Sequence, residues 1–194
     1  MAQTSTTLIA SKAHITSVTG ADINLTAISG VYTIKATSTT LTGSGKFAVG
    51  DLITVTGASN SANNTTFTVS TVVSTLEITV AEVVTTETEG ASITLDHVGF
   101  VSTKSKGDGY YSQADGIHTV AYHVNATLTG AIKMQGSLAT TPTEDDWFDI
   151  AGTTFTTDQS ITIFSANFTG NFVWVRGKAT GVTAGTVSKI LYNH

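Results

Sequence analysis

Apolar and polar residues alternate along most of this chain, and the 3.6-residue period of an amphipathic helix is nearly absent. Gly, Asn and Asp punctuate the alternation, as turns between strands require. In the first thirty residues two short strands are expected, His14–Val18 and Asp22–Ile28, on what reads as an N-terminal arm (1–30). Residues 31–97 carry strand patterns at Val31–Thr37, Leu52–Thr56, Phe67–Val73, Leu76–Val80 and, after the turn at Glu89-Gly90, Ala91–Leu95. Short strands spaced about ten residues apart suggest a small β-barrel. A turn at Asn63-Asn64 aims Phe67 and Val69 inward.

Residues 98–194 carry a second strand pattern. Its strands are Tyr110–Gln113, His118–Asn125, Ala131–Leu138, Trp147–Ile150, Ser160–Phe164, Phe172–Lys178 and Thr186–Tyr192, with a hairpin turn at Ala114-Asp115-Gly116. Val120, Tyr122 and Val124 share one face, and Ile132, Met134 and Leu138 read as inward. That number of strands suits a two-sheet sandwich. The fold class expected is therefore all-β, a small barrel followed by an antiparallel β-sandwich.

Composition sharpens this picture. Threonine fills about one position in five, far above average usage, and its branched, hydroxylated side chain fits a half-wet pleated surface. Charged residues make up only 12% and the net charge is −5. No basic stripe exists, so composition argues against a nucleic-acid partner. There is no cysteine and a single proline, Pro142, so disulfides and thiolate metal sites are excluded. The opening residues lack the basic and apolar regions of a signal peptide, and no apolar run is long enough for a membrane span. Synthesis in a cytoplasm without classical export, and no membrane partner, are the expectations.

Candidate chemistry is sparse. His118 and His123 fall on opposite faces of one strand and cannot chelate a metal together. Glu144-Asp145-Asp146 with Asp149 is an acidic cluster without calcium-loop spacing, and it reads as a solvated loop. Gly43-Ser44-Gly45-Lys46 lacks the spacing of a phosphate loop and reads as a turn, as do Asp22 and Asp108. No catalytic, metal or cofactor site is expected. Trp147, Phe148, Phe172, Trp174 and Tyr192 fit core or interface packing better than a sugar-stacking platform. Arg176 shares a face with Trp174, within reach of the Glu144–Asp149 loop. Trp147, Trp174 and Arg176 are thus the candidate interface or glycan contacts.

Several segments resemble known structural proteins. Phe47-Ala-Val-Gly-Asp-Leu-Ile-Thr-Val-Thr-Gly, Asn63-Asn-Thr-Thr-Phe-Thr-Val, Thr75-Leu-Glu-Ile-Thr-Val and Glu87-Thr-Glu-Gly-Ala-Ser-Ile-Thr-Leu resemble a small β-barrel module that recurs in tailed-bacteriophage structural proteins. Tyr111-Ser-Gln-Ala-Asp-Gly-Ile-His-Thr-Val-Ala-Tyr, Gly130-Ala-Ile-Lys-Met-Gln-Gly-Ser-Leu-Ala, Asp146-Trp-Phe and Asn167-Phe-Thr-Gly-Asn-Phe-Val-Trp-Val-Arg-Gly-Lys resemble virion structural proteins of marine tailed phages, especially cyanophages. The resemblance implies a jelly-roll-like sandwich and a virion role without catalytic residues. On it rests the expectation of a capsid decoration (cement) protein, homo-oligomeric and bound to the major capsid protein or other virion proteins. A neck, collar or tail accessory is the alternative within that class. A glycan-binding host-adhesion module is the alternative from another.

Overall fold

The computed structural model describes residues 5–88, 92–111, 116–157 and 160–194. The expected turns at Glu89-Gly90 and Ala114-Asp115, and the end of the strand expected over Tyr110–Gln113, lie outside them. Among the described residues all regular structure is strand, apart from single 3-10 turns at Ser61–Asn63, Asp108–Tyr111 and Glu144–Asp146. The expected all-β class is therefore what is found. No helix among the described residues is long and apolar enough to cross a membrane.

In chain order the strands are β1 (Ser5–Ile9), β2 (Lys12–Ala13), β3 (Val18–Gly20), β4 (Ile23–Ile28), β5 (Val31–Ala36), β6 (Asp51–Thr56), β7 (Thr66–Ser74), β8 (Glu77–Val80) and β9 (Ile93–Val101). There follow β10 (Ser105–Lys106), β11 (Ile117–Val124), β12 (Ala131–Ser137), β13 (Phe148–Asp149), β14 (Phe155–Thr156), β15 (Ile163–Thr169), β16 (Trp174–Thr180) and β17 (Thr186–Asn193). The chain divides into two compact units, a central one (Ile15–Gly99) and a terminal one built from Met1–His14 and Phe100–His194. The first thirty residues are not one arm. Their opening strands belong to the terminal unit, and β3 and β4 to the central unit.

In the central unit the strands lie in the order β3-β9-β6-β7-β8-β5-β4. The β4–β5 hairpin turns through Ser29 and Gly30, both at positive φ (52° and 79°), as a two-residue primed turn requires. One face of every strand feeds a single core, including Ile23, Leu25, Ile34, Ile53, Phe67, Ile78 and Ile93. Each such side chain taken fully out of water stabilises by ~1.5–3 kcal/mol. Phe67 and Val69 point inward as expected. The outer faces explain the threonine content: Thr19–Thr94, Thr54–Thr66 and Thr71–Thr79 each join hydroxyls across neighbouring strands at 2.7–2.9 Å. Asp22 ties the turn after β5 by accepting from the Ser38 and Thr39 main-chain N–H groups and hydroxyls.

The expected barrel does not close. Closure would need β4 to pair onward around the sheet. Its outer edge is instead taken by the segment before residue 88: the Leu25 and Glu87 main chains exchange hydrogen bonds at 3.2 and 2.9 Å, and the Ala27 N–H donates to Thr86 Oγ1.

The terminal unit has two layers. One orders its strands β1-β17-β11-β15, with β2 also on β17; in the other β12 pairs with β16, β13 and β14, and β10 joins β16. Val120, Tyr122, Ile190 and Tyr192 from the first layer, and Ile132, Met134, Val175 and Ala179 from the second, share one core. This is the sandwich arrangement. The alternation on β11 is borne out, since Val120, Tyr122 and Val124 are buried together. The Tyr122 hydroxyl donates to the Thr153 carbonyl, and burial pushes that phenol well above its ordinary pKa.

Other details differ from the sequence expectations; among them, the strand expected over Ala91–Leu95 runs Ile93–Val101. Leu138 lies beyond the end of β12 and is exposed, because the strand stops at Ser137. Tyr110 and Tyr111 sit in a 3-10 turn rather than a strand. Residues 14–17 are not a strand. The strand expected over Ser160–Phe164 runs Ile163–Thr169 instead, where pairing with β11 keeps one uninterrupted register from Ile117↔Thr169 to His123↔Ile163.

Candidate assembly surface

The three residues singled out from sequence lie on the outer face of the β12–β16 ribbon or beside it. There Lys133 faces Lys178, Gln135 faces Arg176 and Ser137 faces Trp174. Arg176 is almost fully buried, and each of its three nitrogens donates a hydrogen bond. Its Nε donates to Gln135 Oε1 (2.9 Å), and its two terminal nitrogens donate to the two Glu144 oxygens (2.9 and 2.8 Å). The guanidinium carbon sits 4.2 Å from the Trp147 ring centre. Arg176 and Trp147 therefore form one assembly with Glu144, and the Arg176 pairing foreseen with this loop is found. Asp149 takes bonds from Gln135 and Lys133. Burial pushes its carboxyl up, but these bonds hold it below the usual range. Burial, then the Arg176 charge, pulls Lys178 down.

Trp174 stands apart from this assembly. Its indole N–H donates to the Thr140 carbonyl (3.0 Å), Lys104 lies over its ring, and Tyr110 packs 5.0 Å away. Phe172 and Tyr192 belong to the core. Phe172 fits closely over Gly136, where an added Cβ would come within 2.6 Å of the ring. The five aromatics thus do not form one platform. The acidic cluster is also divided among separate partners, with Asp146 capping its own turn through Thr143. No group of three or more metal-ligating side chains occurs among the described residues.

Each unit buries one histidine against an aspartate. His97 Nδ1 accepts from the Ile15 N–H (3.3 Å), and its Nε2 lies 3.7 Å from Asp51. His118 Nε2 meets the Gly170 carbonyl at 3.1 Å and must carry a proton there, and Nδ1 shares a hydrogen bond with the Tyr192 hydroxyl (2.9 Å). Asp108 lies 3.6 Å from the same Nε2. The ring is fully buried and packs beside Phe168 and Tyr192, at centroid separations of 5.1 and 5.8 Å. Burial raises the Tyr192 pKa, reinforced by Asp108. A network this enclosed orients the sheet.

The feature that sequence reasoning missed is an edge. A terminal strand presents main-chain N–H and C=O groups without partners, and proteins blunt such edges with bulges, charges, proline or brevity. In the central unit β4 is covered by residues 86 and 87, and β3 is three residues long. In the terminal unit β1 carries a register break between Thr7 and Ile9, and β13 and β14 have two residues each. β15 has none of these devices. It runs seven residues, Ile-Phe-Ser-Ala-Asn-Phe-Thr, without charge, proline or bulge, and among the described residues no strand lies beyond it.

The parity of this edge follows from one bond. The Val124 N–H donates to the Thr162 carbonyl, so Phe164, Ala166 and Phe168 bond to β11, while Ile163, Ser165, Asn167 and Thr169 turn their main-chain groups outward. The side chains of those four are exposed, Ile163 at 59%. On the other face Phe164 and Ala166 pack on the core but stay only half-buried. A sequence signal existed: no charged residue occurs from Gln159 to Val175. No family model matches this chain, and neither a curated protein nor a solved structure does.

Proposed function

We propose that this chain is a non-catalytic structural protein of a tailed-phage particle, placed on the capsid surface as a decoration protein, with a neck, collar or tail position as the alternative site. The observation that carries the assembling role is β15, a seven-residue uncharged edge where the other edges among the described residues are covered, bulged or short. Such an edge binds through its main chain and needs no particular side chain on its partner. The phage setting rests on the sequence resemblance. The hydroxyl-rich, weakly charged outer faces suit contacts repeated by symmetry, where many weak bonds act together.

The test is quantitative mass spectrometry of purified particles, with labelled antibody locating the chain. Roughly hundreds of copies on the shell support decoration, and about six or twelve support the neck or tail. Absence from purified particles overturns the virion role.

One observation favours the glycan-binding reading. Tyr110 and Tyr111, both half-exposed, gather beside Trp174 with Lys104 and Lys106. The lysines already cover the Trp174 and Tyr110 rings, and a sugar would have to displace them. Glycan-array binding lost in Trp174→Ala would support that reading; no binding by the intact protein would remove it.

A further inference from the structure

We infer that the occupant of the β15 edge is the β15 of a second copy, paired antiparallel about a two-fold axis at Ala166. The inference rests on the assembling role proposed above and names its partner. It starts from the order of residues in the strand. Read from either end, Ile163-Phe-Ser-Ala-Asn-Phe-Thr169 presents a β-branched residue, a phenylalanine, a small polar residue and then alanine. Antiparallel pairing about the centre of such a strand sets each residue against its like.

The parity of the edge agrees with that register. With the axis at Ala166, Ser165 faces Asn167 of the second copy and Ile163 faces Thr169. All four turn their main-chain groups outward, so these become the hydrogen-bonded pairs, about eight bonds in total. Phe164 then faces Phe168 and Ala166 faces Ala166 in the closer, non-hydrogen-bonded pairs. Aromatic pairs stabilise such positions, and alanine at the axis leaves room for close approach. Thr119 already donates to Asn167 Oδ1 (2.9 Å), which leaves the Asn167 amide nitrogen to donate to the facing Ser165 hydroxyl.

Two further observations bear on this contact. Phe164 and Ala166 are the partly buried residues that fringe this core, and a strand added at β15 covers them. The chain carries a net charge of −5, so two copies repel at long range, yet β15 brings no charge to the contact. A closed two-fold pair satisfies both edges at once and leaves none for further growth.

The chain has no cysteine, which permits a register-specific test. In the inferred pair the two Ala166 Cα atoms lie about 4.5 Å apart, within disulfide reach. Mild oxidation should convert Ala166→Cys to a covalent dimer, while Ile28→Cys, exposed in the central unit, stays monomeric. Ser165→Pro removes an outward donor without touching the ladder to β11. It should weaken self-association in sedimentation velocity by about ten- to a hundredfold, since two main-chain bonds are lost per dimer. Ser165→Lys is the companion variant should proline disturb the strand, with unchanged circular dichroism as the folding control. A wild-type chain that stays monomeric at high micromolar concentration overturns the inference. So does a dimer that survives both Ser165 variants while Ala166→Cys remains unlinked. A chain found in particles but lacking this contact defeats the pairing and leaves the virion role standing; a β15 dimer absent from particles does the reverse.

Discussion

The central and terminal units end their sheets differently. In the central unit the outermost long strand, β4, has its outward groups bonded to residues 86 and 87. That covering segment is fastened by Asn63, which is fully buried, donates to the Thr85 carbonyl and Glu87 Oε2, and accepts from the Thr85 N–H. In the terminal unit β15 is longer than β4 and uncharged, and no described strand covers it. The same chain therefore has the means to seal an edge and uses them in one unit. The difference teaches that the sealed edge serves the stability of the single chain, while the bare one is available for contact.

The largest expected effect comes from undoing the seal. Asn63→Ala removes three hydrogen bonds made by a fully buried side chain, one of them to the Glu87 carboxylate, and should destabilise the central unit by about 2–4 kcal/mol. Urea unfolding measures the loss, and hydrogen exchange should show the Leu25 and Ala27 amides losing protection first. Retained protection there would mean that the covering segment holds without Asn63.

A smaller effect is expected within the terminal unit. Glu144→Gln removes the charge that faces the nearly buried Arg176 guanidinium. Because Glu144 is about one-third exposed, water compensates in part, and a loss of about 1–2 kcal/mol is expected in thermal or urea unfolding. A loss below the error of the measurement would make the pair ornamental.

Asp22 gives a pH-dependent handle on the central unit alone. Bonds from the Thr39 hydroxyl, then from the Thr39 and Ser38 amides, hold its carboxyl well below the usual carboxylate range. A depressed folded value contributes stability that is present above the unfolded pKa, near 3.8, and lost as pH falls through the folded one. Asp22→Asn should therefore melt below the wild type at neutral pH, and the gap should close as the pH drops under about 4. A gap that persists in strong acid would assign the effect to shape rather than charge.

The smallest expected change in stability is at the bare edge. Ser165→Lys should shift the unfolding free energy of the dilute chain by under about 0.5 kcal/mol, because its side chain and main-chain donor face solvent there. Set beside Asn63→Ala, it separates an edge that holds the chain together from one that does not.

Much of the strand content was legible in the alternation. Val120, Tyr122 and Val124, or Phe67 and Val69, announce their faces because period-2 burial is a local property. That Arg176 lies within reach of the Glu144–Asp149 loop was legible in the sequence; that its partner there is Glu144 was not. What was not legible depends on distant partners. β1 pairs with β17 (Thr6↔Tyr192), so the opening residues join the terminal unit for reasons that no local pattern carries. His118 meets Gly170 and Tyr192 across 52 and 74 positions. β15 was misplaced by several residues because Ile163, Phe164, Ala166 and Phe168 put apolar side chains on both faces, which blurs the alternation. Whether a strand is an edge is a fact of topology, and only the charge-free run around it hinted at the answer.

The central claim is that the outward main-chain groups of β15 wait for a second copy. Residue-resolved amide hydrogen exchange across a dilution series tests it most directly. At low concentration the Ile163, Ser165, Asn167 and Thr169 amides should exchange fast while Phe164, Ala166 and Phe168 stay protected by β11. At high concentration all seven should be slow. Exchange at the first four that is already slow in the dilute chain, or that ignores concentration, would contradict the account.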